Sequence, residues 1–571
     1  MYITSVPNRN SPPAVLLRES YREDGKTKNR TLANLSALPV DAIEGLKILL
    51  KGGIALSSVD EVFEITGSRH HGHVQAVMAA MKQLGMPELI SSRSCRERDL
   101  VLAMVAARIL EPDSKLATSR GWDVTTLGAE LGVSSASEDD LYAAMDWLID
   151  RQERIEQKLA TRHLKEGALA LYDLSSSYVE GTECEFAEFG YNRDRKRGTQ
   201  QVNYGLLTDD RGRPIAVSLY PGNVGDAKTV MDQVELLKKS FKLSHTVLVG
   251  DRGMLTQTRI KDIRTAHPEG LDWITALKSP RIRKLIDSKH IQLGLFDERN
   301  LFEFTHPDYP GERLIACRNP ELAKKQAYTC EELLKATEDE LNKIAESVSK
   351  GKLKGKGPIG LKVGRVINRY KVAKHFKVTI ADDAFTFSRK EESLAVEASL
   401  AGLYVIRTSL SAEAMDTDAT VRSYKLLSRV ERAFRTVKSV DLKVRPIYHH
   451  VVDRVATHIF ICMLAYYVEW HMREAWREML FADEDLEAKK HRDPVAPAKP
   501  SKAAVTKAQT GRLADGNRAH SFHTLMRELS GIVRNTCRRK GGTEQEGTFE
   551  MMTTANETQQ RALRLLDTIS Q

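Results

Sequence analysis

The chain has 571 residues, enough for three or more domains, and its 41% hydrophobic and 29% charged residues match a soluble globular protein with a sizeable core. Lys and Arg exceed Asp and Glu by 86 − 77 = 9 charges. This balance is compatible with a polyanionic partner such as nucleic acid, and equally with a mildly basic cytosolic protein. The composition excludes a chain too polar to fold and leaves the partner open.

The cysteines and the apolar runs indicate the cellular compartment in which the chain is expected. Six cysteines are scattered without any Cys-x-x-Cys pair, which argues against a zinc module or a disulfide framework and fits a reducing cytosol. The first residues lack the charged and apolar regions of a signal peptide. The longest apolar run, residues 459–468, is about half a membrane span and is expected to be a buried helix. We therefore expect a cytoplasmic protein without a membrane partner.

Residues 1–165 are predicted to form a β-hairpin followed by helices, and we expect this region to bind DNA. Two β-like runs, residues 14–20 and 29–35, flank a good hairpin turn at 23–25. From residue 39 to 163 the pattern is helical almost throughout. Residues 126–148 have some features of a helix-turn-helix that reads DNA, but a plain helical bundle fits them as well.

Residues 166–279 are predicted to form the first part of a catalytic core. Residues 168–173 and 246–251 are short apolar runs that each end in an acid, Asp173 and Asp251, as buried central strands do. Residues 202–207 and 214–220 predict an antiparallel hairpin, and residues 271–277 a fifth strand. The order of three strands, helix, strand, helix, strand predicts an α/β fold with a mixed sheet, in which chemistry lies at the carboxyl ends of the strands.

Residues 280–408 depart from this alternation, and we interpret them as an inserted, mainly β subdomain. They contain β-like pieces, one long charged helix near residues 320–349, and a loop rich in Gly and Lys at 350–358. Lys352 and Lys354 of this loop either form a flexible finger that binds phosphate or belong to a solvated run of charges.

Residues 409–481 are predicted to complete the core, and residues 482–571 to form a linker and a C-terminal helical segment. Residues 424–438 have the apolar spacing of an amphipathic helix. With about 3.6 residues per turn, Tyr424, Glu431 and Lys438 lie two turns apart on one face beside the apolar stripe. A carboxylate at that edge is costly unless it is paired or bound to a metal, although a surface Glu among basic residues has the same pattern.

Asp173, Asp251 and Glu431 together suggest phosphodiester chemistry. Such chemistry needs an activated water or hydroxyl and a stabilised leaving oxygen on opposite sides of phosphorus. Two Mg²⁺ ions held by carboxylates supply both, and Mn²⁺ is expected to substitute. An Asp that ends a strand is often only a turn residue, so each acid alone is a weak indication.

The chain resembles bacterial insertion-sequence DDE transposases of the cut-and-paste group with a β-rich insertion before the catalytic Glu. The motifs that carry the resemblance are YDLSSSY at 172–178, FGYNRD at 189–194, QVNYGLL at 201–207, PGNVGD at 221–226, VGDRGM at 249–254 and VERAFRTVK at 430–438. The resemblance implies an RNase H-like catalytic core in which Asp173, Asp251 and Glu431 bind Mg²⁺.

The family's Tyr-Arg-Glu-Lys signature is only partly present. Tyr424, Glu431 and Lys438 fill three of its positions, and the resemblance implies DNA contacts for Tyr424 and Lys438. Leu427 stands at the Arg position, and Arg429 is expected to point to another side of the helix. The loop after the first core strand carries further candidates for DNA-backbone contacts, with an unspecific solvated loop as the alternative: Arg193, Arg195, Lys196 and Arg197.

We expect a transposase that cleaves the ends of its own insertion sequence and joins the freed 3′-hydroxyl ends to target DNA. Its partners are then double-stranded DNA, both the terminal inverted repeats and the target, and a second copy of the chain, because two ends must be joined. Two alternatives stay open: a stand-alone RNase H-like nuclease, and a transposase-derived DNA-binding protein that has lost its chemistry.

Overall fold

The computed structural model describes residues 1–9, 11–53, 62–194, 196, 198–487, 493–496, 499–540 and 547–570. The chain divides into two compact units. The first comprises Met1–Arg69 with Val533–Thr554, and the second comprises His70–Ile532 with Ala555–Gln571. The division of the sequence into five segments stays a prediction.

The strands of the described residues are, in chain order, β1 (Tyr2–Val6), β2 (Ala14–Glu23), β3 (Lys26–Asn34), β4 (Phe63–His70), β5 (Leu169–Tyr178), β6 (Gln201–Thr208), β7 (Pro214–Pro221), β8 (Thr246–Gly250), β9 (Leu271–Ala276), β10 (Leu301–Phe304), β11 (Arg313–Arg318), β12 (Phe376–Ile380), β13 (Phe385–Arg389), β14 (Leu403–Thr408), β15 (Val533–Arg539) and β16 (Phe549–Met552).

The α-helices of the described residues are α1 (Val40–Leu50), α2 (Gly72–Gln83), α3 (Met86–Ile90), α4 (Arg96–Leu110), α5 (Lys115–Arg120), α6 (Leu127–Glu130), α7 (Glu138–Ile149), α8 (Gln152–His163), α9 (Val230–Glu235), α10 (Gln257–Ala266), α11 (Ser279–Asp287), α12 (Pro320–Ser349), α13 (Lys356–Ile367), α14 (Glu391–Leu400), α15 (Thr417–Lys425), α16 (Leu427–Arg435), α17 (Val452–Ala475), α18 (Lys502–Thr510), α19 (Phe522–Ser530) and α20 (Glu557–Leu566).

The first unit contains two small antiparallel sheets. In one, β2 pairs with both β1 and β3, and the tight turn between β2 and β3 places Asp24 and Gly25 at positive φ. Gly tolerates that conformation at no steric cost, as hairpin turns require. In the other sheet β15 lies between β16 and β4, so strands from both ends of the chain pair with each other. The predicted N-terminal hairpin is present, with longer strands than expected.

The second unit is built on an eight-stranded mixed sheet with the order β10-β11-β14-β9-β8-β5-β6-β7. β5, β8 and β9 run parallel to one another, while β6 pairs antiparallel with both β5 and β7. The five core strands therefore have the order 3-2-1-4-5 with the second strand reversed, which is the RNase H-like arrangement. The predicted mixed α/β fold is confirmed, and four of the five predicted core strands are found within one residue of their expected bounds. The first, β5, does not end at Asp173 as predicted but continues to Tyr178, because the second half of the strand pairs with β6.

Residues 280–408 extend this sheet but contain more helix than strand, so the prediction of a mainly β insertion is wrong; α12 alone has 30 residues, whereas each strand has four to six. β10, β11 and β14 add three antiparallel strands beyond β9. Between β11 and β14, the helices α12 and α13 and the hairpin of β12 and β13 enclose a separate apolar core around Leu334, Leu341 and Ile359. The sequence pattern of the Gly/Lys loop did not indicate α13, whose first residue is Lys356.

The helix α17 is the centre of the helical layer. Most of its side chains are buried, and it packs against α4, α7 and β7. The helix α7 begins at a capping box, in which the Ser137 hydroxyl accepts a hydrogen bond from the Asp140 N–H. In the candidate helix-turn-helix, α6 is a single turn and α7 buries one face against α4 and α17. None of the helices that the structure describes is long and apolar enough to cross a membrane.

Candidate active site

Asp173 and Asp251 are brought together by the parallel pairing of β5 and β8. Tyr172 pairs with Gly250 in this register, so the acids that follow them are neighbours across adjacent strands. Asp251 opens a turn in which its carbonyl accepts a hydrogen bond from the Met254 N–H at 2.9 Å. The two carboxylates thus lie where the parallel pairing of β5 with β8 ends, at the carboxyl end of β8, although β5 itself continues to Tyr178 beside β6.

Glu431 comes to the same site on α16, which packs against β5. The apolar residues of α16, Val430 and Phe434 among them, face the core, while Glu431 stays exposed beside them. Its carboxylate is close enough to Asp173 to raise the pKa of that group. The structure therefore brings the three predicted acids to one place.

Asp173 is the group most affected by this crowding. Burial raises its pKa to about 7; the carboxylates of Asp251 and Glu431 act in the same direction, and the Arg193 guanidinium opposes them. The Leu174 N–H, which donates to Asp173 Oδ1 at 2.8 Å, also stabilises the charged form. A partly buried carboxyl beside two others has lost solvation without gaining a full counter-charge, which is the setting that a bound cation relieves.

The donor set fits a hard divalent cation, because all three groups are carboxylates. Among the described residues, however, no group of three His, Cys, Asp or Glu side chains is arranged closely enough to hold a metal ion. The acids converge on one edge of the sheet without enclosing an ion on their own.

Tyr424 lies near the end of α15 and reaches the same acids. Its hydroxyl donates to Asp251 Oδ1 at 3.4 Å, a long hydrogen bond. Burial, followed by the charge of Asp251, raises the pKa of Tyr424 well above its ordinary value, so the hydroxyl keeps its proton and remains a donor.

Lys438 is at the site's margin but is ion-paired. α16 ends at Arg435, and residues Thr436–Val440 form a wider, π-helical turn that carries Lys438 inward. Its ammonium donates to Asp194 Oδ1 at 3.0 Å, and Arg445 pairs with the same carboxylate. Burial lowers the pKa of Lys438, and Asp194 opposes that effect.

The segment 424–438 is not the single continuous helix that its pattern predicts. α15 ends at Lys425 and α16 starts at Leu427. Leu427, at the Arg position of the signature, packs partly buried against the main core. Arg429 points to another side of α16, where it donates to the Asp210 carbonyl in the turn after β6.

The predicted DNA-contact residues that the structure describes in the loop after β5 each pair with a different carboxylate. Arg193 pairs with Asp226. Lys196 pairs with Glu180 at 2.7 Å and lies 3.8 Å above the centre of the Tyr178 ring. Arg195 and Arg197 lie outside the described residues.

Lys352 and Lys354 lie on the turn between α12 and α13, where both side chains are exposed. Among the described residues neither forms an ion pair, whereas Lys350 pairs with Glu346 on α12.

Sequence reasoning missed two acids at this site, Asp194 and Asp226. Each ends a motif that the resemblance had brought out, FGYNRD and PGNVGD, so their positions were visible although their partners were not. Asp194 accepts from Lys438 and Arg445, and Asp226 accepts from Arg193.

Fold and site together define an α/β enzyme fold with an acidic site at the edge of a mixed sheet. A family model described as "Transposase DDE domain" matches residues 167–468, which is more than half of the chain. The chain belongs to this family. A second model, "IS1634 family transposase, N-terminal domain", matches residues 3–58. The protein is an insertion-sequence DDE transposase, a DNA-cleaving enzyme of a family that generally uses divalent metal ions.

Two solved structures share a low similarity with the chain. One is the "Cryo-EM structure of piggyBac transposase synaptic complex with hairpin DNA (SNHP)", with 10% identity, a TM-score of 0.36, and coverage of 80% of this chain and 77% of that one. The other is the "Mos1 transposase paired-end complex with left transposon end", with 10% identity, a TM-score of 0.14, and coverage of 32% and 60%. No curated protein matches the chain.

Proposed function

We propose that this transposase cleaves DNA at the ends of its own insertion sequence and joins the freed 3′-hydroxyl ends to target DNA, with Asp173, Asp251 and Glu431 as ligands of Mg²⁺. The observation that carries the proposal is the convergence of Asp251 and Glu431 on the partly buried Asp173, whose pKa rises to about 7 mainly through burial. A cluster of carboxylates attracts divalent cations. Cations bound there would in turn attract the negatively charged phosphates of DNA.

The three acids fit the chemistry of both steps. Cleavage and joining are each in-line attacks on a phosphodiester, so one site serves both. Divalent ions held by Asp173, Asp251 and Glu431 would activate the attacking water or hydroxyl and stabilise the leaving oxygen. Mn²⁺ is expected to substitute for Mg²⁺, because both prefer carboxylate oxygen ligands.

The chain's own residues orient the acids and hold the DNA. Tyr424 donates to Asp251 and so fixes one carboxylate oxygen. Arg193 supplies positive charge beside Asp173 for phosphate oxygens, and Lys438, which is paired with Asp194, is proposed as a second phosphate contact. Further contacts with the DNA backbone are proposed for Arg195, Lys196, Arg197, Lys352 and Lys354.

A homodimer is proposed for the joining step, because two element ends must be held together. Mass photometry of the protein with a duplex that carries the element end should give particles with two protomers and two duplexes. Particles of one protomer and one duplex at every concentration, under conditions where joining occurs, would exclude this dimer.

The test of the site compares the wild type with Asp173→Asn, Asp251→Asn and Glu431→Gln. Each variant is incubated with a labelled end duplex, target DNA, and Mg²⁺ or Mn²⁺, and Mn²⁺ binding is measured separately by electron paramagnetic resonance. We expect each variant to lose cleavage and joining by at least about a hundredfold, with affinity for the end duplex retained. Asp262→Asn on α10, which removes a carboxylate from a partly exposed Arg–Asp pair, is the control.

Two other outcomes would contradict the proposal. Wild-type cleavage and wild-type Mn²⁺ binding in any one variant would remove that residue from the site. Cleavage of unrelated duplexes without joining would favour the stand-alone nuclease.

A further inference from the structure

The motifs FGYNRD and PGNVGD form two loops that are fastened side by side. The Gln201 side-chain amide donates to the carbonyls of Tyr191 at 3.1 Å and Gly222 at 3.0 Å. The Asn203 amide donates to Gly222 at 3.2 Å and Val224 at 2.9 Å. Both amides are buried, so these bonds hold the loops in fixed positions on β6.

The two loops meet in an ion pair between Arg193 and Asp226. Arg193 Nη2 donates to Asp226 Oδ1, and the side chains are 19% and 38% exposed. The Arg193 N–H donates to Ser176 Oγ on β5 at 3.3 Å. On the other side, Thr229 Oγ1 donates to the Asp226 carbonyl at 2.8 Å. Both partners are therefore anchored through their backbones as well as through each other.

This pair lies against the catalytic acids. A β-carbon on Gly253 would lie 3.5 Å from Asp251 Oδ2 and 3.9 Å from Asp226 Oδ2, so the two carboxylates flank the same point. The Arg193 guanidinium is close enough to Asp173 to favour its charged form. Asp226 is thus a fourth carboxylate at the site, and it differs from the other three in being paired with an arginine.

The Arg193 guanidinium could pair either with the proposed metal ligands Asp173 and Asp251 or with Asp226. Its five N–H donors match carboxylate and phosphate oxygens equally well. If it rested on Asp173 or Asp251, it would compete with cations for those oxygens. Held by Asp226, it keeps donors free beside the acids without occupying them.

We propose that Asp226 is a positioning residue that holds the Arg193 guanidinium beside Asp173 and Asp251, so that Arg193 grips a DNA phosphate at the site while the acids remain open to cations. This inference rests on the proposed function of Asp173, Asp251 and Glu431. It assigns roles to two motifs that the acids alone leave unexplained.

The test is a double-mutant cycle on the full-length chain with Asp226→Asn, Arg193→Gln and the double variant. Mn²⁺ binding without DNA is measured by electron paramagnetic resonance, and cleavage of the end duplex is measured under single-turnover conditions. Asp262→Asn is a matched control, because the side chain of Asp262 is 40% exposed and pairs with Arg259 at 2.7 Å. Urea unfolding of each variant verifies that the fold is kept.

The two single variants are expected to differ in Mn²⁺ affinity, although both lose cleavage. Asp226→Asn releases Arg193 onto the acids, so Mn²⁺ affinity falls about tenfold and cleavage falls by about 10- to 100-fold. Arg193→Gln keeps Mn²⁺ affinity at or above the wild-type value, and its cleavage falls over a similar range. In the double variant Mn²⁺ affinity returns to within about twofold of that of Arg193→Gln. A residue that only maintained the fold would not show this recovery.

Three outcomes would overturn the inference. If Asp226 were itself a metal ligand, Mn²⁺ affinity would stay low in the double variant. If Asp226→Asn matched the wild type in both measurements, it would have no positioning role. If Asp262→Asn weakened Mn²⁺ binding as strongly, the effect would be one of net charge. Failure of the proposed function is separate, because Asp173→Asn would then bind Mn²⁺ and cleave DNA like the wild type.

Discussion

Glu156 on α8 shows how strongly this fold shifts the properties of single residues. It is fully buried, and its Oε1 accepts hydrogen bonds from the Val217 N–H at 3.1 Å and the Gln152 amide at 2.8 Å. Burial raises its pKa to about 8, although both donors oppose the shift. The carboxyl therefore joins α8 to β7 and stays mostly protonated in the folded protein at neutral pH.

Replacing Glu156 by Gln should stabilise the protein at alkaline pH. Because the folded pKa is raised, the folded state holds the proton more tightly than the unfolded chain does. The stability from this group is full below about pH 4.5 and is lost as the pH rises towards 8. Glu156→Gln keeps an acceptor for both donors, so its free energy of unfolding at pH 9 should exceed that of the wild type by roughly 2–4 kcal/mol.

Urea unfolding of both proteins at pH 5 and pH 9 measures this difference. The comparison at pH 5 is the internal control, since most of the gain should be absent there. A gain of equal size at both pH values would mean that the substitution acts through packing rather than through the proton.

At the residue scale, the sequence singled out the three acids of the proposed metal site but missed Asp194, Asp226 and their basic partners. Asp173 and Asp251 end apolar runs, and parallel strands necessarily bring such ends together. The pairing of Lys438 with Asp194 joins residues 244 positions apart, and it depends on the path of a loop and on an inward π-helical turn. No local pattern encodes either feature.

At the element scale, the apolar pattern predicted the core strands well and the helix after α15 less well, and it missed β4, β15 and β16, which lie in segments predicted to be helical. The Leu426 N–H bonds to the Ser423 carbonyl and the Arg429 N–H to the Leu426 carbonyl, so the helix tightens there. After Arg435 the chain widens, and the Asp441 N–H bonds to the Thr436 carbonyl. Apolar residues at steps of three and four fit tight, regular and wide turns alike, so the sequence pattern cannot distinguish them.

Gly222 tests whether the loop that carries Asp226 needs its close approach to β6. A β-carbon there would lie 2.0 Å from the Gln201 carbonyl oxygen, a backbone atom in the sheet. Gly222→Ala must therefore displace the loop, and we expect a loss of about 1–3 kcal/mol in the free energy of unfolding. Since Asp226 moves with the loop, cleavage of the end duplex should fall at least about tenfold.

Gly225→Ala is the matched control in the same loop. A β-carbon at Gly225 meets no atom within 4 Å, and its φ of −78° suits any residue. Urea unfolding and end cleavage are measured for both variants. Equal effects of the two substitutions would show that the loop's flexibility, rather than its contact with β6, sets the position of Asp226.

At the scale of the whole molecule, the sequence order conceals which segments belong together. Val533–Thr554 joins Met1–Arg69 in one unit, where Arg538 pairs with Glu64 at 2.7 Å. Strand partners so far apart in sequence leave no local signature, because a strand's pattern encodes its faces and not its neighbour. The mixed character of the sheet formed by the five core strands was easier to predict, since the alternation of strands and helices restricts the connections.

The excess of 9 basic charges over the whole chain predicts a DNA affinity that falls with salt. Each phosphate contact releases counterions, so the logarithm of the affinity should fall with the logarithm of the salt concentration by about 0.9 for each contact. If Lys352 and Lys354 bind the DNA backbone, Lys352→Gln combined with Lys354→Gln should reduce this slope by nearly two.

The control removes the same number of charges from lysines that already have partners. Lys335 pairs with Glu332 at 3.5 Å and Lys343 with Glu340 at 3.1 Å, all on α12. Fluorescence anisotropy with the end duplex between 50 and 200 mM salt, roughly the range over which such contacts are resolved, gives both slopes. A fall of nearly two in the first double variant alone would place the α12–α13 turn on the DNA. Equal falls in both double variants would mean that DNA affinity depends only on net charge. An unchanged slope in the first double variant would mean that this turn does not contact the DNA.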